Sequence, residues 1–171
     1  MIPGMIHIYT GNGKGKTTAA LGLALRASGA GKKVYIAQFV KGMHYAELDA
    51  LRKQPKITIR QFGLDCFIMN EPGEKDIAAA RKGLETVKAL IHSKKYDVII
   101  LDELCIALYY KLFEEVEVLC MLQSKPVETE IIITGRYASE ELKNAADLVT
   151  EMKEIKHYFN RGILARNGIE Y

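Results

Sequence analysis

Thr10-Gly11-Asn12-Gly13-Lys14-Gly15-Lys16-Thr17-Thr18 is the stretch on which the fold turns. A short apolar run, Met5 to Tyr9, leads into it. A helix of small residues, Thr17 to Ser28, leads out of it and is closed by Gly29 and Gly31. Strand, glycine-rich turn and helix are the context that the phosphate-binding pattern G-x-x-x-x-G-K-[ST] requires. Gly15, Lys16 and Thr17 match its second half, while its first position falls on Thr10, with Gly11 one residue late. The physics survives that mismatch. Gly11, Gly13 and Gly15 let backbone N–H groups turn inward around phosphate oxygens, and the helix N-terminus adds its positive end. Lys16 supplies a point charge and the Thr17 hydroxyl reaches a magnesium ion. Lys14 faces either phosphate or water.

Outward from this loop the chain keeps alternating strand and helix. Val34 to Val40 and Ile57 to Phe62 read as strands. Ile77, Ala80, Leu84, Val87 and Ile91 recur at three- and four-residue steps, which predicts a helix over Glu74 to Ser93 with one buried stripe. Glu74 and Asp76 in its first turn, and Lys94 and Lys95 just beyond its last, suit the helix dipole. Val98 to Leu101 and Ile131 to Thr134 are fully apolar runs ending in polar groups, as expected of strands covered on both faces. Phe113 to Gln123 reads as a helix, and Ser139 caps another that carries Glu140 and Glu141. The expectation is one domain over 1–171: a P-loop NTPase-like, RecA-like α/β fold, with a mostly parallel sheet and helices on both faces. Ligands of such sheets bind at the carboxyl ends of the strands.

The second polar motif lies at such an end. Val98-Ile99-Ile100-Leu101-Asp102-Glu103 is an apolar strand closing on two carboxylates. In P-loop proteins the strand beside the loop ends this way, and the acid holds magnesium directly or through water. Glu103 has two readings: an ATPase or small-molecule kinase uses it as a catalytic carboxylate, whereas a transferase uses it only for the metal. Arg136 follows Gly135 on the same rim and either clamps a phosphate oxygen or forms a surface salt bridge.

Composition narrows the classes. Apolar residues make up 49% of the 171, enough for a buried sheet. A net charge of +3, with the 24 basic residues scattered, gives no nucleic-acid footprint. Cys66, Cys105 and Cys120 form no CxxC pair and read as reduced thiols, two of them in the core. No signal peptide is visible and no apolar stretch approaches the roughly 20 residues of a membrane helix, so a cytoplasmic protein is expected. His7, His44, His92 and His157 are far apart, and no Ser-His-Asp ordering or metal-spaced cluster appears.

Taken together, the blocks resemble the corrinoid adenosyltransferases. The loop Thr10 to Thr18 looks like that family's loop, including the threonine that ordinary P-loops lack. Gln38-Phe39-Val40-Lys41-Gly42 resembles its second-strand signature, Asp102-Glu103-Leu104 its acidic pair, and Ile133-Thr134-Gly135-Arg136 its fourth block. Lys156-His157 through Gly162 to Ala165, and then Gly168-Ile169-Glu170-Tyr171, resembles its C-terminal signature. The resemblance implies a RecA-like fold, commonly a homodimer, with ATP and magnesium as ligands and a reduced corrinoid as second substrate. It implies transfer of the 5′-deoxyadenosyl group to Co(I) with release of triphosphate, in adenosylcobalamin biosynthesis or salvage. An external electron donor makes the Co(I). Carried over by residue, Gly11, Asn12, Gly13, Lys14, Gly15, Lys16, Thr17 and Thr18 hold the triphosphate, and Arg26 and Arg136 contact the nucleotide. Thr17, Asp102 and Glu103 bind magnesium, and Lys16 and Glu103 carry the chemistry. Longer members carry an extension ahead of the first strand, whereas this sequence reaches that strand at Met5. The family's corrinoid loop often has Phe and Trp. This chain has no Trp, and Phe67 and Ile68 are the nearest candidates. Met43, His44, Tyr45, Phe62, Met69, Tyr158 and Phe159 are further candidates for an apolar shelf. A nucleotide sensor without turnover is the non-enzymatic alternative.

Overall fold

The structure, a computed structural model, describes residues 3–65 and 71–171. In chain order its elements are β1 (Ile6–Thr10), α1 (Lys16–Gly29), β2 (Val34–Phe39), α2 (Ala46–Arg52), β3 (Ile57–Phe62), α3 (Glu74–Ser93), β4 (Val98–Asp102), α4 (Leu104–Tyr109), α5 (Glu115–Gln123), β5 (Glu130–Thr134), α6 (Glu140–Asn144) and β6 (Leu148–Glu151), then a 3-10 turn at Tyr158–Arg161. The six strands form one sheet in the order β3-β2-β4-β5-β1-β6. Every pairing is parallel. Parallel neighbours need crossovers, and the helices supply them. This is the expected α/β class, with the sheet wholly parallel.

The strand period of two sorts the side chains onto two faces. Val34, Ile36, Ile57, Ile59, Val98, Ile100 and Ile132 meet Ala20, Ala24 and Ala27 of α1 and Leu48 and Leu51 of α2. Tyr35, Ala37, Phe39, Ile99, Leu101, Ile131 and Ile133 point the other way, into a cluster with Leu84, Val87 and Ile91 of α3 and residues of α4, α5 and α6. The alanines let α1 lie close over the sheet, which sets its first residues beside the ends of the central strands. No helix of the described residues is long and apolar enough to cross a membrane.

The differences from expectation have physical causes. The acidic strand β4 lies beside the loop, as expected, although β5 stands between it and the loop strand β1. The loop still reaches β4 because α1 packs across it. Ile77 is 39% exposed, and the buried stripe of α3 begins one turn later at Ala80. The close approach of this helix is at Gly83, where a Cβ would come 2.8 Å from both Phe39 and Phe62. Ile77 lies about 9 Å back along the axis from that contact. The helix expected from Phe113 starts at Glu115. Phe113 is a core residue, and Glu114 caps the helix in a reciprocal box with Glu117. Cys105 is buried and Cys120 is exposed, while Cys66 lies outside the described residues.

Candidate active site

Four buried polar residues, Thr10, Gln38, Asp102 and Thr134, mark the carboxyl ends of β1, β2, β4 and β5. The loop 10–18 rises from the first of these. Gly11 and Gly15 hold φ values of +98° and +115°, a region that costs glycine nothing. Gly11 and Gly13 are also pressed against the backbone after β6, where a Cβ on either would stand 2.5 and 2.7 Å from the Met152 carbonyl oxygen. The Gly13 N–H donates to that oxygen at 2.6 Å, and the Met152 N–H donates to the Thr10 carbonyl at 2.8 Å. The Gly13 amide, expected to turn toward phosphate, is therefore committed to bracing the loop. The amides that open α1, which has no side-chain cap, are among those left for an anion.

Lys16 is 7% exposed, and its Nζ donates to the Gly13 carbonyl at 2.7 Å. Burial, with the Arg136 charge second, pushes its pKa below the ordinary lysine range. Lys14 points the other way. Its Nζ meets Glu170 Oε1 at 2.5 Å, the Tyr158 hydroxyl at 2.8 Å and the Ile169 carbonyl at 3.0 Å. Hydrogen bonds from Lys14 and Tyr158 hold the Glu170 carboxyl below the usual carboxylate range. The C-terminal block thus folds back onto the loop. Lys14, open between phosphate and water in the sequence, has a third partner instead.

Asp102 is wholly buried and accepts four hydrogen bonds. Thr17 Oγ1 (2.8 Å) and Thr134 Oγ1 (2.7 Å) donate to Oδ1. Lys41 Nζ (2.8 Å) and Gln38 Nε2 (3.1 Å) donate to Oδ2. Burial raises its pKa, but the Lys41 charge and these hydrogen bonds prevail and hold it low. Glu103 takes the left-handed conformation at φ +60°, and its N–H donates to Thr134 Oγ1 at 3.0 Å. Its half-buried carboxylate is pushed up by burial first and by the Asp102 charge second.

The fourth block brings Arg136 to the same rim. Gly135 precedes it at φ +137°, close enough that a Cβ would sit 2.8 Å from the Cys105 Cβ. Burial pushes the Cys105 thiol up to about 12, so this neighbour stays protonated. Arg136 is exposed and forms no ion pair among the described residues, while its charge is felt at both Lys16 and Glu103. Arg26 is not brought to this group: it lies exposed in the last turn of α1, ten residues and about 15 Å along the helix from Lys16.

Sequence reading passed over Gln38, Lys41 and Thr134 as site residues. Gln38 and Thr134 carried a signal, each being a lone polar group in or at the end of an otherwise apolar run. Among the shelf candidates, Phe62 is core at 7% exposure and packs beside Phe39. Met43 and Phe159 are exposed. His157 caps the 3-10 turn by accepting the Phe159 N–H at 3.0 Å, a structural duty. Phe67, Ile68 and Met69 lie outside the described residues. A groove of about 380 Å³ lined by Thr10, Gly11, Asn12, Tyr137 and Glu151 flanks the loop. A larger one, about 520 Å³ between α3 and α5, shares no residue with the site.

Comparison with known proteins gives the family of the chain as a whole. The family described as ATP:corrinoid adenosyltransferase BtuR/CobO/CobP matches residues 3–171. The corrinoid adenosyltransferase of Escherichia coli K12 is 36% identical over 168 residues, covering 98% of this chain and 86% of that protein. Its namesake from a Sinorhizobium species is 38% identical over 172 residues, covering 98% and 80%. That of Pseudomonas aeruginosa is 35% identical over 170 residues, covering 98% and 84%.

Proposed function

This chain belongs to the ATP:corrinoid adenosyltransferase family, and from that premise we propose that it transfers the 5′-deoxyadenosyl group of ATP to the Co(I) of a reduced corrinoid, with triphosphate leaving. The match across residues 3–171 is the observation that carries this reading. A water-activating ATPase or kinase has no comparable support.

The residues suit such a displacement. Co(I) is itself a strong nucleophile, so the protein needs no general base, and Asp102, saturated with donors and held low, is not one. Its task is to bind the triphosphate, hold the 5′-carbon accessible and stabilise charge on the leaving group. The opening amides of α1, Lys16 and Arg136 are the groups for that charge. Thr17, Asp102 and Glu103 offer hydroxyl and carboxylate oxygens, the donor set that fits magnesium. The buried Gln38 Oε1, which has no hydrogen-bond donor, suits a water on that ion. When bound, the ion supplies charge neutralisation to the triphosphate.

In the same proposal the segment containing Phe67 and Ile68 gives the corrinoid an apolar contact, and an external donor supplies its electron. A homodimer in the cytoplasm completes the reading. The exposed edge strand β6, with Leu148 and Val149 41% and 43% exposed, and the exposed Ile155 and Leu164 beyond it, are surfaces that a second copy would cover.

The test is the product. With ATP, magnesium and chemically reduced corrinoid, the spectrum of a cobalt–carbon bond is expected to appear together with triphosphate. Phosphate or ADP formed at the same rate without corrinoid overturns the assignment.

A further inference from the structure

Lys41 is placed with unusual care for a lysine. Its side chain is 14% exposed, against 0% for the Asp102 it pairs with. Nζ lies 2.8 Å from Asp102 Oδ2, 3.4 Å from Thr17 Oγ1 and 5.4 Å from the centre of the Tyr45 ring. The backbone bends to put it there. Val40, a β-branched residue, holds φ +56°, a conformation such residues rarely adopt. Gly42 and Gly63 allow the chain on either side to cross, since a Cβ on the first would fall 2.4 Å from the Leu64 carbonyl and on the second 2.4 Å from the Lys41 nitrogen. Backbone strain of this kind persists where the surroundings enforce it, and it concentrates at working sites. The two oxygens that the ammonium faces, a threonine hydroxyl and a carboxylate, are those a hard divalent cation would take.

We propose that Lys41 is a tethered counter-ion that holds the cation position between Asp102 and Thr17 while no nucleotide is bound, and yields it to the metal that arrives with the triphosphate. A buried carboxylate stripped of its cation is strongly destabilising, so the ammonium keeps the nucleotide-free site intact. Two cations repel at this range in a partly desolvated pocket. Free metal is therefore turned away. Metal carried on a triphosphate brings its own negative charge, and the displaced ammonium then has an anion to pair with. The site thereby selects the metal–nucleotide complex over the free ion.

The inference rests on the metal reading of Thr17 and Asp102 given above, and the two fail in different experiments. Without nucleotide, Mn2+ binding is measured from the loss of its free-ion electron paramagnetic resonance signal. Lys41→Met is expected to bind Mn2+ at least about tenfold more tightly than the wild type, since the competing charge is gone. Its thermal midpoint is expected to fall by several degrees and to recover on adding Mg2+ alone, while the wild-type midpoint stays put. Equal Mn2+ affinity in the two proteins overturns the proposal. If Lys41→Met does not fold without metal, folding restored by Mg2+ supports it. Failure of Mg2+ to restore folding, while Lys41→Met/Asp102→Asn folds, overturns it. The metal reading fails separately, if wild-type affinity for ATP is the same with and without Mn2+.

Discussion

Lys16→Ala is expected to stay folded and to lose at least about a hundredfold in kcat/KM for adenosyl transfer, roughly 2.7 kcal/mol of transition-state stabilisation. The structure separates these two effects. Among the described residues the Lys16 ammonium donates to the Gly13 carbonyl alone, and a single hydrogen bond involving a charged group contributes about 1.5–3 kcal/mol. Gly13 remains anchored by its own N–H on Met152, so the loop keeps its path. What disappears is a charge held beside the α1 N-terminus, at the place proposed for the leaving triphosphate, which gathers negative charge. The check is kcat/KM measured together with the thermal midpoint. Activity above about a tenth of wild type in a folded variant, a loss under roughly 1.4 kcal/mol, contradicts the role.

Glu103→Gln carries the second large effect and discriminates between the two enzyme readings. The amide preserves shape, and the strained backbone at φ +60° is held by the bond from the Glu103 N–H to Thr134, which the substitution leaves alone. Only the carboxylate charge is lost. If that charge positions magnesium, adenosyl transfer is expected to fall by about tenfold to a hundredfold and to recover partly at higher magnesium concentration. Glutamine remains an oxygen donor, but a weaker one for a hard cation. A water-orienting carboxylate predicts something else: brisk ATP hydrolysis by the wild type without corrinoid, abolished in the variant. Titrating magnesium in the transfer assay, alongside phosphate release without corrinoid, distinguishes the outcomes. Corrinoid-independent hydrolysis at the transfer rate sinks the magnesium role.

What the sequence reveals depends on whether a residue's job is local. The strands β1 to β5 and the long helices α1 and α3 announce themselves because burial on one face writes a period into the chain and burial on both writes a continuous apolar run. The loop and the Asp102-Glu103 pair do so because they match patterns of residue type that phosphate and metal chemistry favour at strand ends. The strand β6 leaves no such mark, since all four of its residues are exposed. The helix α4, Leu-Cys-Ile-Ala-Leu-Tyr, is too short and too uniformly apolar to show a period. The service of Lys41 to Asp102, 61 residues away, and the closure of Glu170 on Lys14, 156 residues away, are matters of tertiary geometry. So is the commitment of the Gly13 amide to Met152, which turns a residue expected to serve phosphate into part of the scaffold.

The brace on the loop has a consequence for how the molecule comes apart. Thr10 and Gly13 are tied to Met152, directly after β6, and Ile6 is tied to Asp147, directly before it. Yet β6 is the outermost strand beside β1, with no strand on its far side among the described residues. Edges of this kind open at lower free-energy cost than a sheet interior. Fraying of β6 therefore releases the loop 10–18 while β2, β4 and β5 remain paired, so the geometry proposed for nucleotide binding is lost in a sub-global event before the fold itself fails. The amides of Gly13 and Met152 should exchange with deuterium together, and faster than those of Ile100 and Ile132. Linkage runs the opposite way too: an anion that grips the loop stiffens the edge of the sheet.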